Sequence, residues 1–323
     1  MGDVSRSRCN TNNAGGFELI PRKMLRHLVV RHKTEYTYSE PVSFGRHRMM
    51  FRPRDSHSLR LIHTKLVINP KPLQILWAFD AFGNSVAFAE FGDVRSSSLT
   101  FESEISLHHY ETPQPTALLL PMAAVFPFDY PDHELPDLAP LMQLNRPDPD
   151  NRLADWARQF VTQGNGVTLD ILTAMKRAIR TTFQYQSRQA SGTHDPVKTL
   201  ALKSGSCRDF ALLMIEALRT LGFAARFVSG YIYSPNRDHH RGGGATHAWV
   251  QVYLPGCGWI DIDPTNGIFG NRDLITVAVS RDHKLAAPLS GHFVGRPSAY
   301  RSMNVDVSVS LFDRIHFRPP VET

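Results

Sequence analysis

The chain has 323 residues, 42% of them hydrophobic and 20% charged, with a net charge of +6. That is enough apolar material for one large domain or two ordinary ones, and it excludes a predominantly disordered chain. Three cysteines, Cys9, Cys207 and Cys257, exclude a disulfide framework and suit a reducing compartment, and no run approaches the ~18 apolar residues of a membrane span.

Residues 1–23 are polar and rich in Gly and Asn, without the apolar core of a signal peptide. They predict a disordered leader, with Met24 as an alternative start and a cytoplasmic location by default. From residue 24 to 119 the pattern is β-like. LVVRHKTEYTYSEPV places Thr34, Tyr36 and Tyr38 on one face, and LRLIHTKLVINP, LQILWAFDAFGNSVAFAEF and SLTFESEISLHHY repeat the alternation. Asp80-Ala81-Phe82-Gly83-Asn84 has turn chemistry. These runs predict an all-β, sandwich-like N-terminal domain. The basic stretch Arg46, His47, Arg48, Arg52, Arg54, Arg60 carries no nucleic-acid motif and reads as solvated surface, while Met49 and Met50 read as core.

Seven prolines between 120 and 151 predict an ordered linker rather than a regular element. Residues 152–323 read as the catalytic domain. LADWARQFV and LDILTAMKRAIRTTFQY are helical, and CRDFALLMIEALRTLG carries a single apolar stripe of Phe210, Leu213, Met214, Ala217, Leu218 and Leu221, closed by Gly222. AARFVSGYIY, ATHAWVQVYLPGCGWIDIDPT and DLITVAVSRD read as strands, with a weaker β-like stretch in NVDVSVSLFDRI.

Three pieces carry chemistry. Cys207 opens a helix after Ser204, Gly205 and Ser206, of which either serine can cap it. There the helix dipole favours thiolate, and unpaired backbone N–H groups can stabilise an oxyanion. His247 lies on a strand and shares a face with Trp249, Gln251 and Tyr253, while Ala248, Val250, Val252 and Leu254 form the apolar face. Asp263 follows one hairpin later. If Tyr253 pairs with Trp259, Asp263 sits diagonally next to His247, whereas Asp261 falls opposite Gln251 and is the second candidate. Pro264 ends that strand. Cys207, His247 and Asp263 in this order match a papain-type arrangement of nucleophile, base and orienting carboxylate. Gly242, Gly243 and Gly244 before the histidine strand read as a hairpin loop with the alternative of a lid hinge. Cys257 reads as a turn residue, His239 and His240 as a polar loop without metal-ligand spacing, and His108 and His109 as strand-end residues.

At these residues the chain resembles the bacterial transglutaminase-like family. GSCRDFALLMIEALRTLGFAARFVSGY and THAWVQVYLPGCGWIDIDPTNG match its GxCxDxA, HAWxE and WxxxDPT patterns, with Asp209 and Ala211 at the flanking positions and Gln251 in place of the usual acid. FQYQSR and VSRDHKLAAP resemble further family segments, and LVVRHKTEYTYSEPV resembles the β-rich region that precedes this core in bacterial members. The resemblance implies an α+β fold, with a papain-like core of helices packed on an antiparallel sheet. It implies a thiol acyltransferase or hydrolase with no metal or organic cofactor. The oxyanion donors would be the Cys207 backbone N–H and an upstream group, Gln184 or Tyr185. Hydrolysis of a peptide or amide bond in a peptide or protein substrate is the favoured expectation. Crosslinking to an amine comes second, and a non-catalytic binding module is the reading from another class. No nucleic-acid or membrane partner is expected, and the partner of the N-terminal domain is open.

Overall fold

Alternation in the first hundred residues becomes two facing sheets. The structure is a computed structural model that describes residues 25–111, 118–163, 166–188, 192–235 and 240–312; Cys9, His239 and the leader lie outside them. Strand β6 (Arg95–Tyr110) buries Leu99, Phe101, Ser103, Ile105, Leu107 and His109 on one face, every second residue. It pairs antiparallel with β1 (Leu25–Phe44) on one side and β3 (Leu59–Asn69) on the other. The facing sheet is built from β2 (His47–Met49), β4 (Gln74–Phe79) and β5 (Ser85–Glu90). Phe44, Met49, Ile68, Ala87, Phe91, Leu99 and Phe101 fill the space between the sheets. The expected turn joins β4 to β5: Asp80 Oδ1 accepts from the backbone of Phe82 (3.0 Å) and Asn84 (2.9 Å), and Gly83 takes a φ of 69°. The basic stretch is mostly at the surface, but His47 departs from expectation. It is buried among Phe44, Phe91 and Phe101, with Nδ1 2.8 Å from the Gly45 carbonyl.

Residues 120–151 were expected to lack regular structure, yet they contain helix α1 (Leu135–Met142). Pro136 stands in the first turn, where its missing N–H is no loss. Leu138 and Leu141 are buried against Tyr130 and Ala224, and that packing offsets the bond that Pro140 forfeits.

The helical layer continues with α2 (Arg152–Gln163), α3 (Thr168–Thr182) and α4 (Pro196–Leu202). These surround α5 (Cys207–Thr220) together with a five-stranded antiparallel sheet, ordered β12 (Ile268–Phe269), β11 (Gly258–Asp263), β10 (His247–Leu254), β9 (Ala225–Ile232) and β13 (Leu274–Ser280). The expected apolar stripe of α5 is present, but burial runs around the whole helix except at Arg208 and Thr220. Glu216 and Arg219, on the remaining face, are both buried as an ion pair of 2.8 Å. Arg219 also donates to the carbonyls of Leu141, Ala225 and Arg281, so its charge is satisfied inside the protein. Gly222 ends the helix with φ 88°, and bonds from Gly222 N to Arg219 O and Phe223 N to Leu218 O close a Schellman motif.

The chain end corrects the expected domain limit. Residues 152–323 were read as one catalytic domain, but β14 (Leu289–Ser290) pairs with β2, and β15 (Phe293–Val294) and β16 (Tyr300–Leu311) pair with β1. The edge of β1 left open by β6 offers backbone groups along most of its length, and the last strands satisfy them. The two regions also share a core: Leu28, Val30, Ile105 and Leu107 pack on Tyr231, Tyr233, Ile275 and Val277. No helix among the described residues is long and apolar enough to cross a membrane.

Candidate active site

Three elements meet at one end of the five-stranded sheet. The first is the start of α5. Ser206 is its N-cap residue, in extended conformation. Asp209, in the first turn, reaches back so that its Oδ2 accepts from Ser206 N and Ser206 Oγ, both at 2.8 Å. Its Oδ1 accepts from Arg188 Nη2 (2.9 Å) and His194 N (2.6 Å). Asp209 therefore ties the helix start to the loop before α4, and these donors hold its carboxyl below the ordinary range against the opposing effect of burial, the largest single influence. Gly205 makes this possible, because a Cβ there would come 2.8 Å from the Asp209 Cβ. Cys207 sits at the first helical position, buried and free of disulfide.

The second element is the β10–β11 hairpin. Its register is the expected one: Tyr253 pairs with Trp259 and Gln251 with Asp261. One diagonal step on, His247 Nε2 lies 2.8 Å from Asp263 Oδ2, with both side chains wholly enclosed. Asp261 is elsewhere. Its Oδ1 accepts from Trp249 Nε1 (2.7 Å) and Gln251 Nε2 (2.9 Å), and it makes no contact with His247. The Trp249 ring stacks beside the imidazole at a centroid distance of 6.0 Å.

The third element escaped the reading of the sequence. Asn266, in the turn after β11, donates from Nδ2 to Asp263 Oδ2 (2.9 Å) and to the Arg241 carbonyl (3.2 Å), and its Oδ1 accepts from Arg241 N (2.8 Å). Asp263 Oδ1 accepts from Thr265 N (2.8 Å) and Asn266 N (3.3 Å). The only available signal was an amide side chain three residues beyond the carboxylate in DPTN. Through Asn266 the glycine loop is joined to the His–Asp pair. Gly242, at φ 84°, lies so close that a Cβ there would stand 3.2 Å from Tyr185 Oη and 3.3 Å from His247 Nδ1.

Burial is the largest influence on His247 and opposes its charge, but Asp263 and Cys207 outweigh it and push the imidazole up to about 10. The charge and hydrogen bond of His247, with the bonds from Asn266 and Thr265, hold the Asp263 carboxyl below its usual range although burial alone would raise it. Both shifts favour an imidazolium donating to a carboxylate. Nδ1, the remaining nitrogen, has no partner at ordinary hydrogen-bond length, yet Cys207 is near enough to favour its proton by contact and by charge. Such a pair can tighten when substrate arrives.

Of the two upstream residues, Tyr185 is directed to this centre. Its hydroxyl is raised above the ordinary phenol value by burial and by the charge of Cys207, and it bonds to Ser187. Gln184 precedes it on the two-residue strand β7 (Gln184–Tyr185), which pairs with β8 (Ser204–Gly205). Alternation turns Gln184 outward, where its side chain is exposed.

Beside His247 opens a cleft of about 890 Å³. Phe227, Ser229 and Ala248 line it together with Tyr36, Tyr300 and Met303 of the β-rich region. This site lies where two packed regions meet, a common location for substrate.

Comparison with known proteins agrees with this architecture. Residues 154–264 match the model of the transglutaminase-like superfamily, and residues 28–107 match the bacterial transglutaminase-like N-terminal region. An uncharacterised protein of Mycobacterium tuberculosis (strain H37Rv) is 28% identical over 302 residues, covering 89% of this chain and 94% of the relative. One from Mycobacterium leprae is 38% identical over 107 residues, covering 32% of this chain and 37% of the relative. Among solved structures, a candidate cysteine protease from Cytophaga hutchinsonii superposes with a TM-score of 0.63 at 18% identity, over 92% of this chain and 94% of the other. That likeness establishes the papain-like α+β fold, and the superfamily match supports an enzyme of that fold in general. The chain carries a transglutaminase-like core behind a bacterial transglutaminase-like N-terminal region.

Proposed function

We propose that the protein is a thiol-dependent hydrolase that cleaves a peptide or amide bond through Cys207, His247 and Asp263. The observation that carries this reading is the enclosed 2.8 Å His247–Asp263 bond, with Cys207 at the helix start favouring the charged imidazole. Cys207 as thiolate attacks the substrate carbonyl carbon, and His247 gives its Nδ1 proton to the departing amine. The acyl group is then held as a thioester. His247, now neutral, takes a proton from water as the water attacks, and collapse releases the acid and restores the thiolate–imidazolium pair. Asp263 keeps the imidazole oriented and compensates its charge throughout. The Cys207 backbone N–H, which has no partner within the helix, and the Tyr185 hydroxyl are the donors proposed for the oxyanion. The cleft is large enough to admit water along with a peptide segment, and hydrolysis is proposed ahead of transfer to an amine. Free thiols at Cys207 and Cys257 fit a reducing, cytoplasmic setting.

Internally quenched peptide libraries, with and without an added primary amine, test this reading. Fluorescence release by the native chain and none by Cys207→Ala is expected. Incorporation of the amine in preference to water would move the assignment to acyl transfer. A lack of both reactions would leave a binding module.

A further inference from the structure

The cleft beside His247 has an uneven charge. Arg146, Arg208, His283 and Lys284 lie on its lining, and no carboxylate of the described residues does. The three cations, Arg146, Arg208 and Lys284, come from three separate stretches of chain: the segment after α1, the first turn of α5, and the short 3-10 turn His283–Ala286. Their convergence is visible at His283. Burial first, then the charges of Arg146, Lys284 and Arg208, hold its imidazole below the ordinary value against the pull of Asp282. Asp282, a carboxylate in contact with His283, is engaged by His283 Nδ1 (3.2 Å) and Lys284 N (3.0 Å) and is absent from the lining.

The Arg208 side chain and the backbone that carries Arg146 are held in place. Arg208 donates from Nη2 to the Arg188 carbonyl (2.8 Å). The backbone at Asn145 and Arg146 is anchored on buried Glu216, with Asn145 N 2.9 Å from Oε2. Like charges gathered in a walled cleft repel one another and focus a positive potential, which an anionic ligand relieves. Arg208 directly follows Cys207, so an anion bound here lies within a short peptide's reach of the thiol.

We infer that this cleft is the subsite for a substrate carboxylate, so that the enzyme selects acidic peptides. The inference rests on the hydrolase reading and specifies its substrate class. The carboxylate is supplied either by an Asp or Glu side chain or by a peptide C-terminus.

The test is calorimetric titration of the full chain bearing Cys207→Ala, which binds without turnover. Four short synthetic peptides serve as probes: neutral or Glu-containing, each as free acid or C-terminal amide. An acidic side chain or a free C-terminus should tighten binding at least about tenfold at low salt, with the gain shrinking as salt rises. Preference for Glu in the amidated pair identifies a side-chain carboxylate, and preference for the free acid in the neutral pair identifies the terminus. Lys284→Glu, at an exposed position that spares the fold, should erase most of that gain. Equal affinity for all four peptides, or tighter binding of the neutral amide, overturns the inference. Because binding is read without chemistry, a charge-blind result in a protein that still cleaves peptides removes only the subsite. Selective binding by a native chain that cleaves nothing removes only the hydrolase.

Discussion

Asp263 is fixed by His247, by both nitrogens of Asn266 and by the backbone of Thr265. Asp263→Asn keeps the shape but not the charge that sustains an imidazolium. Turnover should fall by about 10²- to 10⁴-fold, measured as kcat on a responsive peptide. Asn266→Ala removes a positioning contact and leaves the reacting groups intact. A fall in kcat of about tenfold at unchanged KM is expected. The basic limb of the pH–rate profile should also move to lower pH, a shift that a merely structural role would not produce. The pair also sets the pH dependence of stability. His247 is raised in the fold from 6.5 to about 10, so its contribution is complete below about pH 6.5 and fades as pH rises through 10. Asp263 is lowered in the fold, so its contribution is present above the ordinary carboxylate range and disappears on acidification. Urea denaturation from neutral to basic pH should show stability declining in the native chain, and Asp263→Asn should flatten that decline.

At the scale of elements, the start of α5 depends on Asp209 more than on its serines. Asp209→Ala strands Ser206 N and His194 N, and urea midpoints should report a loss of about 2–4 kcal/mol. The small residues and a serine cap marked Cys207 as the helix start, whereas Asp209 was given only by the resemblance, as a match to the GxCxDxA pattern. The hairpin was legible from its local pattern. Strand alternation is strictly twofold, so pairing Tyr253 with Trp259 decides which of Asp261 and Asp263 meets His247. Asn266 was not legible, since its role depends on the glycine loop folding back over the pair, a contact between segments 25 residues apart. Helix α1 was hidden by its prolines, whose local cost is offset by the burial of Leu138 and Leu141 on Ala224, far away in the chain.

For the whole molecule, the long-range closure of β16 on β1 was the least visible feature. NVDVSVSLFDRI shows a strand, but no local signal says which edge it joins. A chain ending at residue 288 loses β14 to β16 and leaves one edge of β1 open. Size-exclusion chromatography should show this shortened protein self-associating more than the full chain, or failing to fold. The same closure brings Tyr300 and Met303 of the last strand region to the cleft, so the β-rich region is part of the proposed substrate site rather than an appendage. The central claim concerns one thiol, and selective alkylation tests it most directly. Dilute iodoacetamide at about pH 6 leaves ordinary thiols protonated and slow, and Cys257 is pushed further that way by burial. Peptide mapping should then find Cys207 modified far ahead of Cys9 and Cys257, with the advantage lost in His247→Ala. Equal, slow modification of all three cysteines would contradict an activated Cys207–His247 pair.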